Sequence, residues 1–280
     1  MIHGGILNAP LVSIVIPAYN EERYLDATVR SVLDQTFKDF ELIIVNDSST
    51  DGTWKKMLDW KKVDKRIVLL NNERNLGIAA TLNDGVSSAK GKYIMRIDGG
   101  DTAEPTKLEE QIRHLESHKD IAILGTWANV VDEEYKKIGE LKLPVAYPDV
   151  KKKKYIETVT IHPSVVIRKK VFDEIGMYDG NYRAEDYDFF MRAMHAGYKI
   201  ENLPKFLFNL MERKGGITIS KNRIMLKSVL DIKLRYLWGE LSVMNVVGTL
   251  STLFRFIFAS NLMFRLTSKI RDTYRRLSPN

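Results

Sequence analysis

The chain of 280 residues contains no cysteine. That absence excludes a disulfide framework, a thiolate metal site and a cysteine nucleophile, and it suits a reducing compartment. No run of the ~20 apolar residues needed to span a bilayer survives the charges that interrupt it, Arg255 in particular, so a transmembrane helix is not expected. The N-terminus, MIHGGILNAPLVS, lacks a basic segment followed by a long apolar core, so no secretory signal is read and the cytoplasm is the expected compartment. Internal repeats and low-complexity tracts are absent too. What is present, 44% hydrophobic and 28% charged residues, is the composition of a folded domain long enough to bury a sizeable core.

Charge is distributed unevenly. Residues 221–280 carry eleven Lys or Arg against three acids, a net +8, while the remainder of the chain is −1. A near-neutral body argues against a nucleic-acid groove, and a basic tail implies an anionic partner for that tail.

The first hundred residues alternate strand and helix, the pattern of a parallel sheet with crossover helices. LVSIVIPAY (11–19), FELIIVND (40–47), RIVLLNN (66–72) and KYIMRID (92–98) read as buried strands. Between them, EERYLDATVRSVLDQT places Leu25, Val29, Val32 and Leu33 on one helical face, and TWKKMLDWKK and IAATLNDGVSSA read as further helices. Beyond Pro105 the pattern predicts a helix TKLEEQIRHLESH, a strand ILGTWANVV and a hairpin excursion DEEYKKIGELKL. A strand IHPSVVIRKKVF, a helix EDYDFFMRAMHAGY and an extended ENLPKFLFNL follow. The run KKKK (151–154) reads as a solvated helix face.

In parallel α/β sheets ligands bind beyond the carboxyl ends of the strands. Those ends here are Pro17-Ala18-Tyr19-Asn20-Glu21, Asn46-Asp47-Ser48-Ser49 and Asp98-Gly99-Gly100-Asp101. Core stability does not call for carboxylates there, because burying one unpaired costs several kcal/mol. An aromatic ring for a base, an acceptor for a base N–H and carboxylates able to hold a divalent cation suit a nucleoside diphosphate. Tyr19, Asp47 and Asp98 can fill those roles, although Asp47 and Asp101 also suit helix caps.

VSIVIPAYNEERYLDATVRSVLDQT, ELIIVNDSSTDGT and NLGIAATLNDGVSSAKGKYIMRIDGGD together resemble the nucleotide-binding half of family 2 inverting glycosyltransferases. IHPSVVIRKKVFDEIGMYDGNYRAEDYDFFMRAMHAGYKIENLP resembles that family's acceptor half. The resemblance spans residues 10–220 and implies the GT-A fold, a Rossmann-like, mostly parallel α/β sheet with helices on both faces. It implies a glycosyltransferase domain over 1–220, with a nucleotide half at 10–105 and an acceptor half at 106–220, followed by a basic amphipathic helical tail over 221–280. By resemblance Pro17, Tyr19, Glu21, Asp47 and Asp98 fall where the family holds the nucleotide sugar, and Asp98 opens its Asp-X-Asp metal motif. Asp186 falls on the general base and Glu185 beside it, although acids in a helical first turn are also stabilised by the macrodipole alone. His162 lies near the acceptor pocket by the same resemblance, while a lone histidine is more often structural.

Gly100 stands where the motif's second aspartate, the usual metal ligand, belongs. Three explanations compete. Asp98 and Asp101 hold Mg²⁺ or Mn²⁺ together, the glycine pair letting Asp101 swing inward; or the cation binds through Asp98 and phosphates alone; or the protein is metal-independent or impaired. The first gives a metal pair of Asp98 and Asp101. If the metal site is weak, a cation must answer the charge of the leaving diphosphate, and Arg96, Arg213 and Lys214 are candidates.

In the tail, Val243, Val246, Val247, Leu250, Leu253, Phe254, Ile257, Phe258 and Leu262 follow helical spacing opposite Asn245, Thr249, Thr252, Arg255, Arg265, Lys269, Asp272 and Arg276. That pattern reads as a helix lying in an anionic membrane surface, with packing on the domain or on a second subunit as the alternative. The reading is an inverting transferase using a UDP-sugar and a polysaccharide or lipid-linked acceptor, peripheral on the cytoplasmic face and making cell-surface glycan. A nucleotidyltransferase would want a glycine-rich basic loop where AYNEERY stands; a catalytically impaired membrane scaffold, suggested by Gly100, is the other alternative.

Overall fold

The computed structural model describes residues 9–213 and 223–258. Lys214 and the tail positions from Leu262 to Arg276 lie outside that range. The described residues form one nine-stranded sheet flanked by helices. Strands β1 (Val12–Ala18), β2 (Phe40–Asn46), β3 (Ile67–Asn71) and β4 (Tyr93–Arg96) are the four apolar runs expected from the sequence. They alternate with helices α1 (Leu25–Leu33), α2 (Thr53–Val63) and α3 (Ile78–Ser88). After a two-residue β5 (Thr102–Ala103) come α4 (Lys107–Ser117), β6 (Ile121–Val131) and β7 (Lys137–Leu141). Then follow α5 (Tyr147–Lys153), β8 (Val166–Arg168), α6 (Lys169–Ile175), α7 (Glu185–His195) and β9 (Lys199–Met211). Helices α8 (Arg223–Leu237) and α9 (Val243–Ile257) close the described chain.

The strand order is β3-β2-β1-β4-β8-β6-β9-β5, with β7 paired to β6. Strands β1 to β4 are mutually parallel, and because β8 is antiparallel to both β4 and β6, strands β6 and β9 regain the direction of β1. Alternation along β1 splits the core. Val12, Ile14 and Ile16 pack with α1 and α4 on one face, whereas Val15 packs with α3, α6, α7 and α8 on the other. A sheet covered on both faces needs continuous apolar strands, and every residue of β1 and β2 is buried.

Three local departures have physical causes. IHPSVVIRKKVF is not one strand: His162–Ser164 is a 3₁₀ turn around Pro163, which has no N–H to give a ladder, and only Val166–Arg168 pairs before α6 begins. Strand β9 accommodates Pro204 by a register shift between Leu203 and Phe206 against β6. In the lysine run, Lys151, Lys152 and Lys153 are exposed as expected, but Lys154 is buried and ion-paired with Glu240 of the α8–α9 connection.

Helix α9 is docked with its polar face inward. Asn245, Gly248, Thr249 and Thr252 of α9 are buried, and the buried Lys233 of α8 donates to Tyr155 O (2.6 Å), Thr252 Oγ1 (2.7 Å) and Gly248 O (3.2 Å). Val247, Leu250, Phe254 and Ile257 face outward and are roughly half exposed.

Packing of α3 on β1 depends on Gly85: a Cβ there would lie 2.4 Å from Cγ1 of Val15, a β-branched side chain with no exposed surface. Gly→Ala in a helix interior usually stabilises by about 1 kcal/mol. Here Gly85→Ala is expected to destabilise by about 1–3 kcal/mol through overpacking, read from urea unfolding.

Candidate active site

The carboxyl ends of the neighbouring strands β1, β2 and β4 meet at one edge, and their turns are held by side chains rather than by ladder bonds. Asn20 and Ser48 adopt left-handed backbone (φ 56° and 57°) just past β1 and β2, a conformation tolerated in short polar residues and concentrated at functional turns. Asn20 Oδ1 accepts from Thr50 N at 2.8 Å, joining the two turns. Tyr19 projects there with 48% of its surface exposed, whereas Pro17 lies within β1, buried beside Val45 of β2. Asp51 does not cap α2 directly; Gly52 holds that position, and Asp51 instead accepts from Thr53 N (3.0 Å) and Glu22 N (3.1 Å).

Asp47 neither caps the helix that follows it nor presents a bare carboxylate. It reaches across to the turn before α3, accepting from Asn72 Nδ2 (3.1 Å), Leu76 N (2.8 Å) and Gly77 N (2.9 Å). Burial works to raise its pKa, but these bonds, with one from Thr81, outweigh it and hold the group below the usual range. Asn46 uses both ends of its amide. It donates to Asn71 Oδ1 (2.6 Å) and accepts from Ser49 N (3.2 Å); a carboxylate has no donor for the first of these.

The glycine pair after β4 is a space requirement. A Cβ on Gly99 would stand 2.5 Å from the carboxyl carbon of Glu21, and one on Gly100, where φ is +91°, would stand 2.8 Å from Arg213 Nη2. Glu21 and Arg213 form a two-pronged pair (Nη2–Oε2 2.6 Å, Nη1–Oε1 3.0 Å) laid over the bend. Arg213 Nη2 also donates to Gly99 O, and the guanidinium stacks 4.6 Å over Tyr24. Burial raises the pKa of Glu21 against the opposing charge of Arg213. Thr28 of α1 anchors the bend, accepting from Gly100 N (2.9 Å) and donating to Asp101 O (2.8 Å).

Arg96 is the hub on the other side. Its Nε and Nη2 clasp both oxygens of Asp98 (2.7 and 2.9 Å), and its Nη1 lies 3.8 Å from Glu185 Oε1. Nη1 also donates to Nδ1 of the buried His162, whose Nε2 is 2.8 Å from Tyr178 Oη. A guanidinium has no acceptor, so Nδ1 must accept and the ring proton sits on Nε2. Burial, then the charge of Arg96, pushes the His162 pKa well down, so this histidine is neutral and braces Arg96.

Glu185 and Asp186 open α7 beside Arg96. Burial, then the charge of Asp186, raises Glu185 to about 7. Asp186 is raised as well, by burial first, with the Tyr187 amide and Arg96 opposing. Asp188, the third acid of that turn, is buried and pairs with Arg192 at 2.7 Å, a bond within the helix.

Asp101 is engaged by the strand beside it. It is buried and accepts from Met211 N at 2.8 Å, and burial, then the charge of Asp98, raises its pKa well above the usual range. β9 thereby supplies a backbone donor to one of its oxygens. With both oxygens of Asp98 held by Arg96 and glycine at 100, the carboxylates do not fit a shared divalent cation. No group of three or more such ligands occurs among the described residues.

Asp98, Glu185 and Asp186 are thus brought together around Arg96, and Glu21 and Asp101 around Arg213; Tyr19 and Asp47 stand on the adjoining strand ends. Thr28, Tyr24 and Tyr178 escaped sequence reasoning. Thr28 alone left a trace, as a polar residue between Leu25 and Val29 on the buried stripe of α1.

The sequence model for Glycosyl transferase family 2 matches residues 13–176. An uncharacterised glycosyltransferase of Methanocaldococcus jannaschii is 37% identical over 207 residues, covering 72% of this chain and 71% of the relative. The Escherichia coli UDP-Glc:alpha-D-GlcNAc-diphosphoundecaprenol beta-1,3-glucosyltransferase WfaP is 32% identical over 196 residues, or 69% and 73% of the two chains. Among solved structures, S. aureus TarS 1–349 in complex with UDP-GlcNAc superposes with a TM-score of 0.68 at 20% identity, covering 89% of this chain and 73% of that one. The mannosyltransferase PcManGT of Pyrobaculum calidifontis, in complex with GDP-Man and Mn²⁺, gives 0.64 at 14% identity over 96% and 81%. Sheet order, matched segments and relatives agree: the chain has the GT-A fold and belongs to glycosyltransferase family 2.

Proposed function

We propose that this glycosyltransferase moves a sugar from a UDP-sugar to a hydroxyl of a lipid-linked or polysaccharide acceptor, with inversion, on the cytoplasmic face of a membrane. The observation that carries the reading is the clasp of Arg96 on Asp98 at 2.7 Å with Glu185 3.8 Å away. It joins the end of a nucleotide-side strand to the acid pair of α7, so donor and acceptor machinery share one centre. The UDP-containing names of WfaP and of the TarS complex support the choice of nucleotide.

In this reading the nucleoside lies across the ends of β1 and β2, with the ring of Tyr19 stacking on the base. Pro17 and Glu21 shape that end, and Asp47 holds the Asn72–Gly77 turn as its wall. Asp98, oriented by Arg96, faces the ribose and sugar. Asp186 takes the proton of the acceptor hydroxyl as its oxygen bonds to the anomeric carbon; the bond from that carbon to the diphosphate breaks, and its electrons leave with the diphosphate. A single displacement inverts the centre and needs no enzyme nucleophile. A proton resting on Glu185, whose pKa is about 7, leaves Asp186 charged and ready to act as base.

Asp186→Asn is expected to lower transfer at least ~100-fold in a panel of UDP- and GDP-sugars with the true acceptor. Full activity in that variant would remove Asp186 as base. A base works unprotonated, and the pair's pKa values are raised. The rate should therefore fall with acid as Asp186 takes its proton, at a pH above the ordinary carboxylate range. Glu185→Gln, a neutral stand-in for protonated Glu185, should leave that acid limb in place.

The tail supports the membrane part of the reading. No described helix is long and apolar enough to cross a bilayer. Yet α9 turns its polar side to the protein and Leu250, Phe254 and Ile257 outward, the reverse of a helix that closes its own core, and the segment is strongly basic. Sedimentation with phosphatidylglycerol-containing vesicles is expected to retain the full-length protein. A Leu250→Glu, Phe254→Glu variant should lose at least ~10-fold in partitioning, since each buried side chain contributes about 1.5–3 kcal/mol. Equal partitioning would assign that face to another partner.

A further inference from the structure

Sugar transfer builds negative charge on the departing diphosphate, and something positive must lie where that charge develops. The carboxylates of this chain do not form a cation site: Asp98 is clasped by Arg96 through both oxygens, Asp101 is turned to Met211 N, and position 100 has no side chain. The space next to Gly100 is not vacant. A Cβ built on it would meet Arg213 Nη2 at 2.8 Å and Met211 Sδ at 2.9 Å, with Arg213 Nε at 3.5 Å. An acid at position 100 would therefore need the ends of Arg213 and Met211 to shift, and with glycine there the guanidinium lies against the bend.

The guanidinium is held as a phosphate-binding group needs to be held. Glu21 grips it from one side, Gly99 O accepts from it, and Tyr24 stacks against its plane at 4.6 Å. Among the described residues these contacts take three of its five N–H bonds, and Nε lies on the edge toward Gly100. Its side chain is 31% exposed, in contrast to 8% for Arg96. Arg96 is spent on Asp98, Glu185 and His162, whereas Arg213 reaches the surface of the site. The N–H groups left on Nε and Nη1, on a permanently charged group held in place before the donor arrives, can each donate to a phosphate oxygen.

We propose that Arg213 is the counter-cation for the donor diphosphate, standing where an acid-held metal would otherwise be, and that donor binding by this chain needs no divalent cation. The proposal rests on the nucleotide-sugar reading given above, and the experiment separates the two. UDP and uridine are titrated calorimetrically into the full-length protein in excess chelator and in millimolar Mn²⁺. The expected result is a UDP affinity that differs by less than roughly threefold between the two conditions. Arg213→Gln should weaken UDP at least ~10-fold while leaving uridine within about twofold.

A UDP affinity that appears only with Mn²⁺, or an Arg213→Gln variant that binds UDP like the parent, overturns the proposal while leaving the nucleotide-sugar reading standing. If uridine, UDP and GDP all fail to bind in every condition, that reading falls and the proposal with it. Should Arg213→Gln also lose uridine, Gly100→Asp decides. A carboxylate set against the guanidinium should weaken UDP in chelator and make Mn²⁺ restore it; unchanged binding in chelator overturns the proposal.

Discussion

Carboxylates gathered at the end of a buried strand repel one another and resist losing water, so the site stands only because cations are built into it. Arg96 is the first of these. Buried on β4, it satisfies both oxygens of Asp98, approaches Glu185, and is itself braced by a neutral His162 and Tyr178. Losing Asp98 would leave the buried guanidinium short of its partner. The same contact orients Asp98, while burial raises the pKa values of the α7 acid pair against the charge of Arg96.

The second cation accounts for the glycine bend. Two glycines end β4 because the Glu21–Arg213 pair lies directly on the backbone of residues 99 and 100, closer than any Cβ allows. Thr28 then ties the bend to α1, and Met211 ties Asp101 to β9. What looks in sequence like a damaged Asp-X-Asp motif is, in three dimensions, a bend covered by the Glu21–Arg213 pair.

Much of this was legible in the chain. Strands β1 to β4 announce themselves because a sheet covered on both faces demands unbroken apolar runs, and Leu25, Val29 and Val32 mark the inner face of α1. The acids at the strand ends and at the start of α7 were legible because nothing in a core requires them. Strand order was not, nor was β5, whose two residues carry no period. Arg213 meets Gly99 across 114 positions of sequence, and no local pattern records such a contact. Pro163 divided a segment whose apolar content suggested one strand. Periodicity also gave α9 two faces without saying which would be buried; Lys233 decides that, since its buried ammonium needs the carbonyls and the Thr252 hydroxyl that only the polar face offers.

A crystal grown with UDP and Mn²⁺ puts the central claim, that arginine rather than metal answers the diphosphate, to its most direct test. Anomalous scattering at the manganese edge reports the ion without reference to activity. The expected map has the diphosphate against the Arg213 guanidinium, Asp98 still clasped by Arg96, and no manganese peak between Asp98 and the phosphates. A manganese ion bridging Asp98 and the diphosphate, with Arg213 displaced, would contradict it.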